Sequence, residues 1–134
     1  MFFSVLSKLV KFASNLPTWF QWTLLILYMA VIYYASSKSS LPAPSFFMAD
    51  KLYHFVAYAI LGGLWLSALD STCKNFSPRE RVLIAIVLTL AYGASDELHQ
   101  LHVPGRVASV GDLVADLLGA TFGTIYYRYL EKLT

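Results

Sequence analysis

The side chains best suited to chemistry are concentrated in one stretch of the chain, from Tyr92 to Gly123. This stretch holds four of the eight carboxylates, two of the three histidines and one arginine, and it lies between strongly apolar runs. Carboxylates and imidazoles exchange protons readily, and arginine binds phosphate and carboxylate groups with defined geometry. Because polar groups are costly to bury in apolar surroundings, their density here predicts a functional or pairing role.

Asp96 and Glu97 stand out within this stretch because they come at the end of a predicted helix. Negative charge at a helix C-terminus opposes the helix dipole, so each carboxylate is expected to need a proton or a nearby cation, such as Arg106 or Lys51. Asp116 lies a full turn deeper than Asp112 in the next helix. On insertion scales a central carboxylate costs about 2.5–3.5 kcal/mol, which predicts a functional or buried pairing role for Asp116.

A second polar group opens an earlier apolar segment. Asp50, Lys51 and His54 lie within one helical turn, and His54 is a candidate general base, proton relay or metal ligand. Some of these residues also have a structural interpretation. Ser109 with Asp112 is a possible capping box, and Asp50 at a predicted helix start suits the helix dipole and the free amides.

Candidate roles follow from these positions. The candidate catalytic residues are His54, Asp96 and Glu97. The candidate binding residues are Asp50, Lys51, Gln100, Arg106, Asp112 and Asp116. The candidate structural residues are Pro104, Gly105, Ser109, Gly119 and Gly123. His99 and His102 are expected at the rim. We predict no metal, because HExxH and cysteine-pair patterns are absent, and no cofactor. Nucleophile motifs such as GxSxG are also absent.

Composition places these residues in a membrane protein. Hydrophobic residues make up 57% of the 134 residues and charged residues only 13%, about half the share in soluble domains. The net charge of +2, without a basic patch, argues against nucleic acid as a partner. The single cysteine, Cys73, excludes an intramolecular disulfide. Membrane lipids are the expected partners, and the sequence does not indicate an oligomeric state.

Apolar runs and helix signals predict an all-α bundle of four transmembrane helices, at about 17–36, 50–70, 78–100 and 109–130. Residues 1–15 form a separate amphipathic interfacial helix, because Lys8 and Lys11 make a basic stripe on an apolar segment, and residues 16–134 form the membrane domain. A cleavable signal peptide ending near Ser37 is less favoured, because the apolar run is longer than a typical signal core. Pro42 and Pro44 predict a loop.

Short connections make successive helices antiparallel, so the two polar groups should meet on one side of the membrane. Val103 to Arg106 is a predicted turn, and Ser109, Asp112, Asp116, Gly119 and Gly123 share one helix face. Seven of the ten Lys and Arg residues lie on the opposite side, which favours cytoplasmic termini in the plasma membrane. The polar cluster then faces outward.

These motifs resemble the VanZ-like membrane proteins over residues of about 24–130. The resemblance is carried by Asp50-Lys51-x-x-His54, by DELHQ at Asp96–Gln100, by VPGR at Val103–Arg106, and by Ser109-x-x-Asp112 followed by Asp116, Gly119 and Gly123. It implies a small multi-helix envelope protein whose founding members are associated with low-level teicoplanin resistance. It implies no established reaction, so whether the protein is an enzyme stays open.

Three hypotheses follow. In the leading one, the cluster forms an outward-facing pocket that recognises or processes an anionic, lipid-linked envelope component. Arg106 and Lys51 then hold the anion. His54, Asp96 and Glu97 either handle protons or fix the shape of the pocket. The second is a proton-coupled transporter or lipid-handling protein with Asp116 as the carrier carboxylate. In the third, the polar network is purely structural.

Overall fold

Five α-helices make up the described part of the chain. The computed structural model describes residues 2–39 and 48–133, with helices α1 (Phe2–Ser14), α2 (Thr18–Ser36), α3 (Ala49–Thr72), α4 (Pro78–Gln100) and α5 (Val110–Lys132). No strand occurs in these two ranges, so the all-α prediction is confirmed. The helix ends lie within two residues of the predicted ones. The predicted loop at Pro42 and Pro44 falls outside the described residues.

Three of the described helices are long and apolar enough to cross a membrane, namely α2, α3 and α4. The predicted fourth span, α5, is not confirmed. It has 23 residues, but Asp112 and Asp116 lower the apolar content of its first half. The division into an interfacial helix at 1–15 and a domain at 16–134 stays a prediction.

The outer surface of the bundle is apolar. Side chains such as Ile26, Val87 and Leu83, one on α2 and two on α4, are each more than 60% exposed. A soluble monomer seldom exposes so much continuous apolar surface. Together with the three apolar helices, this surface indicates a membrane protein.

The closest helix contact joins α3 and α5 through the glycines of α5. A Cβ placed on Gly119 would lie 2.3 Å from the carbonyl oxygen of Phe55, and one on Gly123 would lie 1.9 Å from that of Ala59. Both glycines therefore let the two backbones touch, which is the usual role of a small-xxx-small pattern in membrane helices. This contact fixes the start of α5 against the start of α3.

Helix α2 packs on α3 and α4 partly through polar contacts. The hydroxyl of Tyr28 donates to the carbonyl of Ala57 at 3.1 Å, and that of Tyr92 donates to the carbonyl of Met29 at 2.6 Å. Leu25 and Ile32 of α2 belong to the buried apolar core. As a result, the end of α2 lies beside the polar ends of its neighbours.

Local signals explain how α4 starts and how it connects to α5. Ser77 and Glu80 form the capping box that the sequence indicates, with Pro78 in the first turn. After α4 the amide of Arg106 donates to the carbonyl of Val103, and Gly105 adopts a φ of 81°. This left-handed conformation favours glycine, so the turn depends on the residue type at 105.

Candidate functional site

The predicted polar residues gather at one end of the bundle, where α3 and α5 begin and α4 ends. Lys51 of α3 reaches across to α5, and its Nζ lies 2.7 Å from Oδ1 of Asp112. The Asp112 side chain is 3% exposed, whereas that of Lys51 is 34% exposed. Lys51 therefore neutralises a buried carboxylate rather than one at the end of α4.

His54 and Asp116 form the most buried pair of this cluster. His54 Nδ1 lies 2.9 Å from Asp116 Oδ1, and the Asp116 side chain has no solvent exposure. This contact occupies one ring nitrogen of His54, so Nε2 is the nitrogen that can exchange a proton with a bound group. The His54 ring also stacks on the Tyr58 ring, with parallel planes and centroids 6.0 Å apart.

The carboxylates at the end of α4 accept hydrogen bonds from uncharged donors. Asp96 Oδ2 accepts from the Tyr58 hydroxyl at 3.2 Å and from Gln100 Nε2 at 3.3 Å. Glu97 Oε2 accepts from the backbone N–H of Ser109 at 2.6 Å. Neither carboxylate forms an ion pair with Lys51 or Arg106 among the described residues, and the alternative expectation of a bound proton stays a prediction. A hydroxyl, an amide and a loop N–H supply the donors.

Ser109 has two roles at the start of α5. Its hydroxyl accepts from the amide of Gly111 at 3.1 Å and so caps the helix, while its own N–H holds Glu97. Asp112 does not act as the carboxylate partner in a capping box, because Lys51 binds it. Ser109 thereby attaches the start of α5 to the end of α4.

A cavity of ≈ 80 Å³ lies beside this cluster, between α2, α3, α4 and the turn before α5. Five of the predicted site residues line it, namely Asp50, His54, Asp96, Gln100 and Arg106. The guanidinium of Arg106 makes no ion pair or hydrogen bond with any described residue. Lys51, Glu97, Asp112 and Asp116 do not line the cavity and lie instead where α3, α4 and α5 meet.

The remaining histidines lie away from the cavity. His99 Nε2 contacts the hydroxyl of Ser37 at 3.0 Å and its ring packs on Tyr33. His102 is exposed, with Nδ1 3.0 Å from the carbonyl of Leu98. Neither joins the contacts of His54.

Sequence reasoning missed two residues that shape the cluster. Tyr58 is buried and links the His54 ring to Asp96, and its position four residues after His54 was the available signal. Gly93 makes room for Asp116, because a Cβ there would lie 2.6 Å from Asp116 Oδ2. Nothing in the local sequence around Gly93 indicates that requirement.

Two groups of these side chains could hold a metal ion. One consists of Asp50, His54 and Asp112, and the other of His54, Glu97 and Asp116. In each group one ligand atom per residue lies within 4.8 Å of the others. The second group draws its three ligands from α3, α4 and α5, whereas in the first group Asp50 and His54 both lie on α3 and Asp112 lies on α5.

A family model described as VanZ/LLP1 matches residues 2–131, nearly the whole chain. The chain belongs to the VanZ/LLP1 family. This match confirms the resemblance seen in the motifs and extends it across α1, which contributed none of them. Comparison with curated proteins and with solved structures gave no significant match.

The pairing of Lys51 with Asp112 leads to a stability prediction for this VanZ/LLP1 member. Lys51→Met should lower the free energy of unfolding by about 2 kcal/mol, because it leaves the buried Asp112 carboxylate without a charged donor. In the double variant Lys51→Met/Asp112→Asn at least half of that loss should return. Thermal unfolding in detergent measures both effects.

Lys132→Met, at an exposed lysine with no described partner, is the matched control and should leave the unfolding temperature unchanged. Equal unfolding temperatures for Lys51→Met and Lys132→Met would show that the ion pair contributes nothing.

Proposed function

We propose that this VanZ/LLP1 protein binds the anionic group of a lipid-linked envelope component in the cavity beside His54. The observation that carries the proposal is the guanidinium of Arg106, which has no ion pair within residues 2–39 and 48–133, at a cavity that also presents His54, Asp96 and Gln100. A guanidinium without a protein carboxylate can form two parallel hydrogen bonds to a phosphate or carboxylate.

In the proposed membrane arrangement α5 is the fourth span and both termini are cytoplasmic. A helix of 23 residues is about 35 Å long, enough to cross a hydrocarbon core. Its two aspartates bind Lys51 and His54, so their charges need not face lipid. The count of basic residues then puts the cavity at the outer face of the plasma membrane.

The dimensions of the cavity suit part of a ligand. Sites that enclose a whole small molecule usually measure about 300–1,000 Å³, whereas this cavity measures ≈ 80 Å³. A phosphate-sized group with a few waters is the appropriate occupant, and the rest of the molecule would stay outside. Ile32, Ala35 and Ala57 add apolar lining. An anionic headgroup on an apolar anchor matches this combination.

The roles that we propose for the carboxylates differ from those based on sequence. His54 and Asp96 line the cavity and are the groups that can exchange a proton with a bound anion. Glu97 holds the Ser109 amide, so it positions the start of α5. Lys51 supports the cluster through Asp112 and leaves anion binding to Arg106.

Arg106→Ala should weaken binding of short-chain phosphatidic acid to the purified protein about 10- to 100-fold, because a charge-assisted hydrogen bond is worth about 1.5–3 kcal/mol. Arg106→Lys should retain part of the affinity, since lysine keeps the charge but lacks the planar fork. Calorimetric titration in detergent measures this, with the uncharged diacylglycerol of equal chain length as the ligand control.

Lys38→Ala is the matched protein control, because Lys38 lies on the same side of the bundle and its ammonium lies over the Tyr34 ring, 4.2 Å from the centroid. Equal affinities of Arg106→Ala and Lys38→Ala would refute the proposal. Inorganic phosphate, tested in the same titration, separates recognition of the phosphate alone from recognition of a lipid phosphate.

We propose in addition that anion binding underlies a role in teicoplanin resistance. Expression of the wild-type protein in a susceptible strain should raise the inhibitory concentration of teicoplanin, and Arg106→Ala should remove that increase at equal protein level. An unchanged increase with Arg106→Ala would separate any resistance from the cavity.

A second candidate function is proton-coupled transport with Asp116 as the carrier. The favouring observation is the complete burial of Asp116 and its contact with His54, which itself lines the cavity. A carboxylate in this position could receive a proton by way of the imidazole.

A further inference from the structure

We propose that His54, Glu97 and Asp116 form a binding site for one divalent transition-metal cation, of the Zn²⁺ or Mn²⁺ class, where α3, α4 and α5 meet. The inference is independent of anion binding by Arg106. Each helix supplies one ligand, and the three residues are 7%, 7% and 0% exposed in that order.

The spacing of the ligand atoms suits a single ion. One atom from each residue lies within 4.8 Å of the other two, and His54 Nδ1 is 2.9 Å from Asp116 Oδ1. Ligand atoms about 2.1 Å from a tetrahedral metal are about 3.4 Å apart. The widest separation therefore has to close by at most about 1.4 Å, which side-chain rotation can supply.

Two carboxylate oxygens of this cluster are buried and have no hydrogen-bond partner in the part of the chain that the structure describes. Glu97 Oε2 accepts from Ser109, which leaves Glu97 Oε1 unpartnered, and Asp116 Oδ1 contacts His54, which leaves Asp116 Oδ2 unpartnered. A buried carboxylate oxygen without a donor costs free energy. A bound cation would remove that cost for both residues at once.

The excess of negative charge in this cluster also favours a bound divalent cation. Five carboxylates meet at this end of the bundle, from Asp50, Asp96, Glu97, Asp112 and Asp116. Of the lysines and arginines, Lys51 already binds Asp112, and Arg106 lies at the cavity. A divalent ion between Glu97 and Asp116 would offset the charge of both carboxylates, with His54 binding as a neutral imidazole.

The donor set selects the class of metal. One imidazole nitrogen with two carboxylate oxygens suits zinc, manganese or ferrous iron, whereas magnesium and calcium prefer oxygen ligands alone. Three protein ligands leave a coordination position for water or for an oxygen of a ligand. Because His54 also lines the cavity, an ion held here would stand at the cavity wall.

The neighbouring group of Asp50, His54 and Asp112 is the weaker alternative. Asp112 is already bound to the ammonium of Lys51, and Asp50 is exposed. A cation there would have to displace Lys51, so the fully buried group is the one that we propose.

The test uses the full-length protein, purified in detergent through a cleavable tag without histidines and stripped with chelator. Equilibrium dialysis against ZnCl₂ or MnCl₂, with metal analysis, should give about one ion per chain at low micromolar concentration, and MgCl₂ should not compete. Glu97→Gln and Asp116→Asn keep the side-chain shape, and each should weaken binding at least about tenfold.

His102→Ala is the matched control, because it removes an exposed histidine outside the cluster. Arg106→Ala should also keep the metal, so a failure of the anion proposal is distinguishable from a failure of this one. If the variants fold poorly, X-ray absorption of zinc on the wild type decides, with one imidazole and oxygen neighbours expected. The proposal would be overturned if the protein bound no metal, or if the absorption spectrum showed sulfur or two imidazoles at the ion. Full metal binding by the double variant Glu97→Gln/Asp116→Asn would also overturn it.

Discussion

Gly123→Ala is expected to lower the free energy of unfolding by about 3 kcal/mol, the upper end of the cost of inserting a methyl group into a tight contact. The added Cβ would lie 1.9 Å from the carbonyl oxygen of Ala59, so α3 and α5 must move apart. Because the obstacle is backbone, no side-chain rotation can relieve it. Thermal unfolding in detergent measures the loss.

Gly63→Ala is the matched control on α3. Its Cβ would find its nearest neighbour, Tyr127, at 3.8 Å, which is an ordinary contact. Alanine is also the better helix former by about 0.8–1 kcal/mol, so this variant should be as stable as the wild type or slightly more stable. Equal losses for Gly63→Ala and Gly123→Ala would show that helix separation at Gly123 is not limiting.

His54→Ala is expected to cost about 3–5 kcal/mol, because it leaves the wholly buried Asp116 carboxylate without its partner. That loss is a large share of the typical stability of a folded domain, so part of the protein should unfold or fail to accumulate. Thermal unfolding and protein level report it, with His102→Ala as the control.

His54→Asn separates a structural role from a chemical one. The asparagine amide can replace Nδ1 as the donor to Asp116, but it has nothing in the place of Nε2. We expect stability within about 1 kcal/mol of the wild type and loss of the teicoplanin phenotype. A fully functional His54→Asn protein would support the structural hypothesis, in which the polar network only joins helix ends.

The second candidate function, proton-coupled transport, leads to a separate prediction for Asp116. Reconstituted protein should then move its substrate in response to a proton gradient, and Asp116→Asn should stop that movement while the fold survives. Transport that ignores both the gradient and the substitution would remove this candidate function.

Much of the fold was accessible from sequence because its signals are local. Apolar runs, the Ser77 and Glu80 capping box and the turn at Gly105 each depend on neighbouring residues, and the structure has helices and a turn at those places. The prediction of α5 as a fourth span is not confirmed, because the apolar residues of this helix favour a membrane span whereas its buried charged residues disfavour one.

The candidate site could be predicted only in part, because its contacts join residues that are far apart in the sequence. Sequence alone determined that the starts of α3 and α5 and the end of α4 share one end of the bundle, because antiparallel helices with short connections require it. Tertiary structure alone decided the partners: Lys51 with Asp112, His54 with Asp116, and Glu97 with the Ser109 amide. Which side chains become partners depends on the rotation of each helix about its axis and on how closely Gly119 and Gly123 let α5 approach α3. Packing over the whole length of the two helices sets the rotation and the distance.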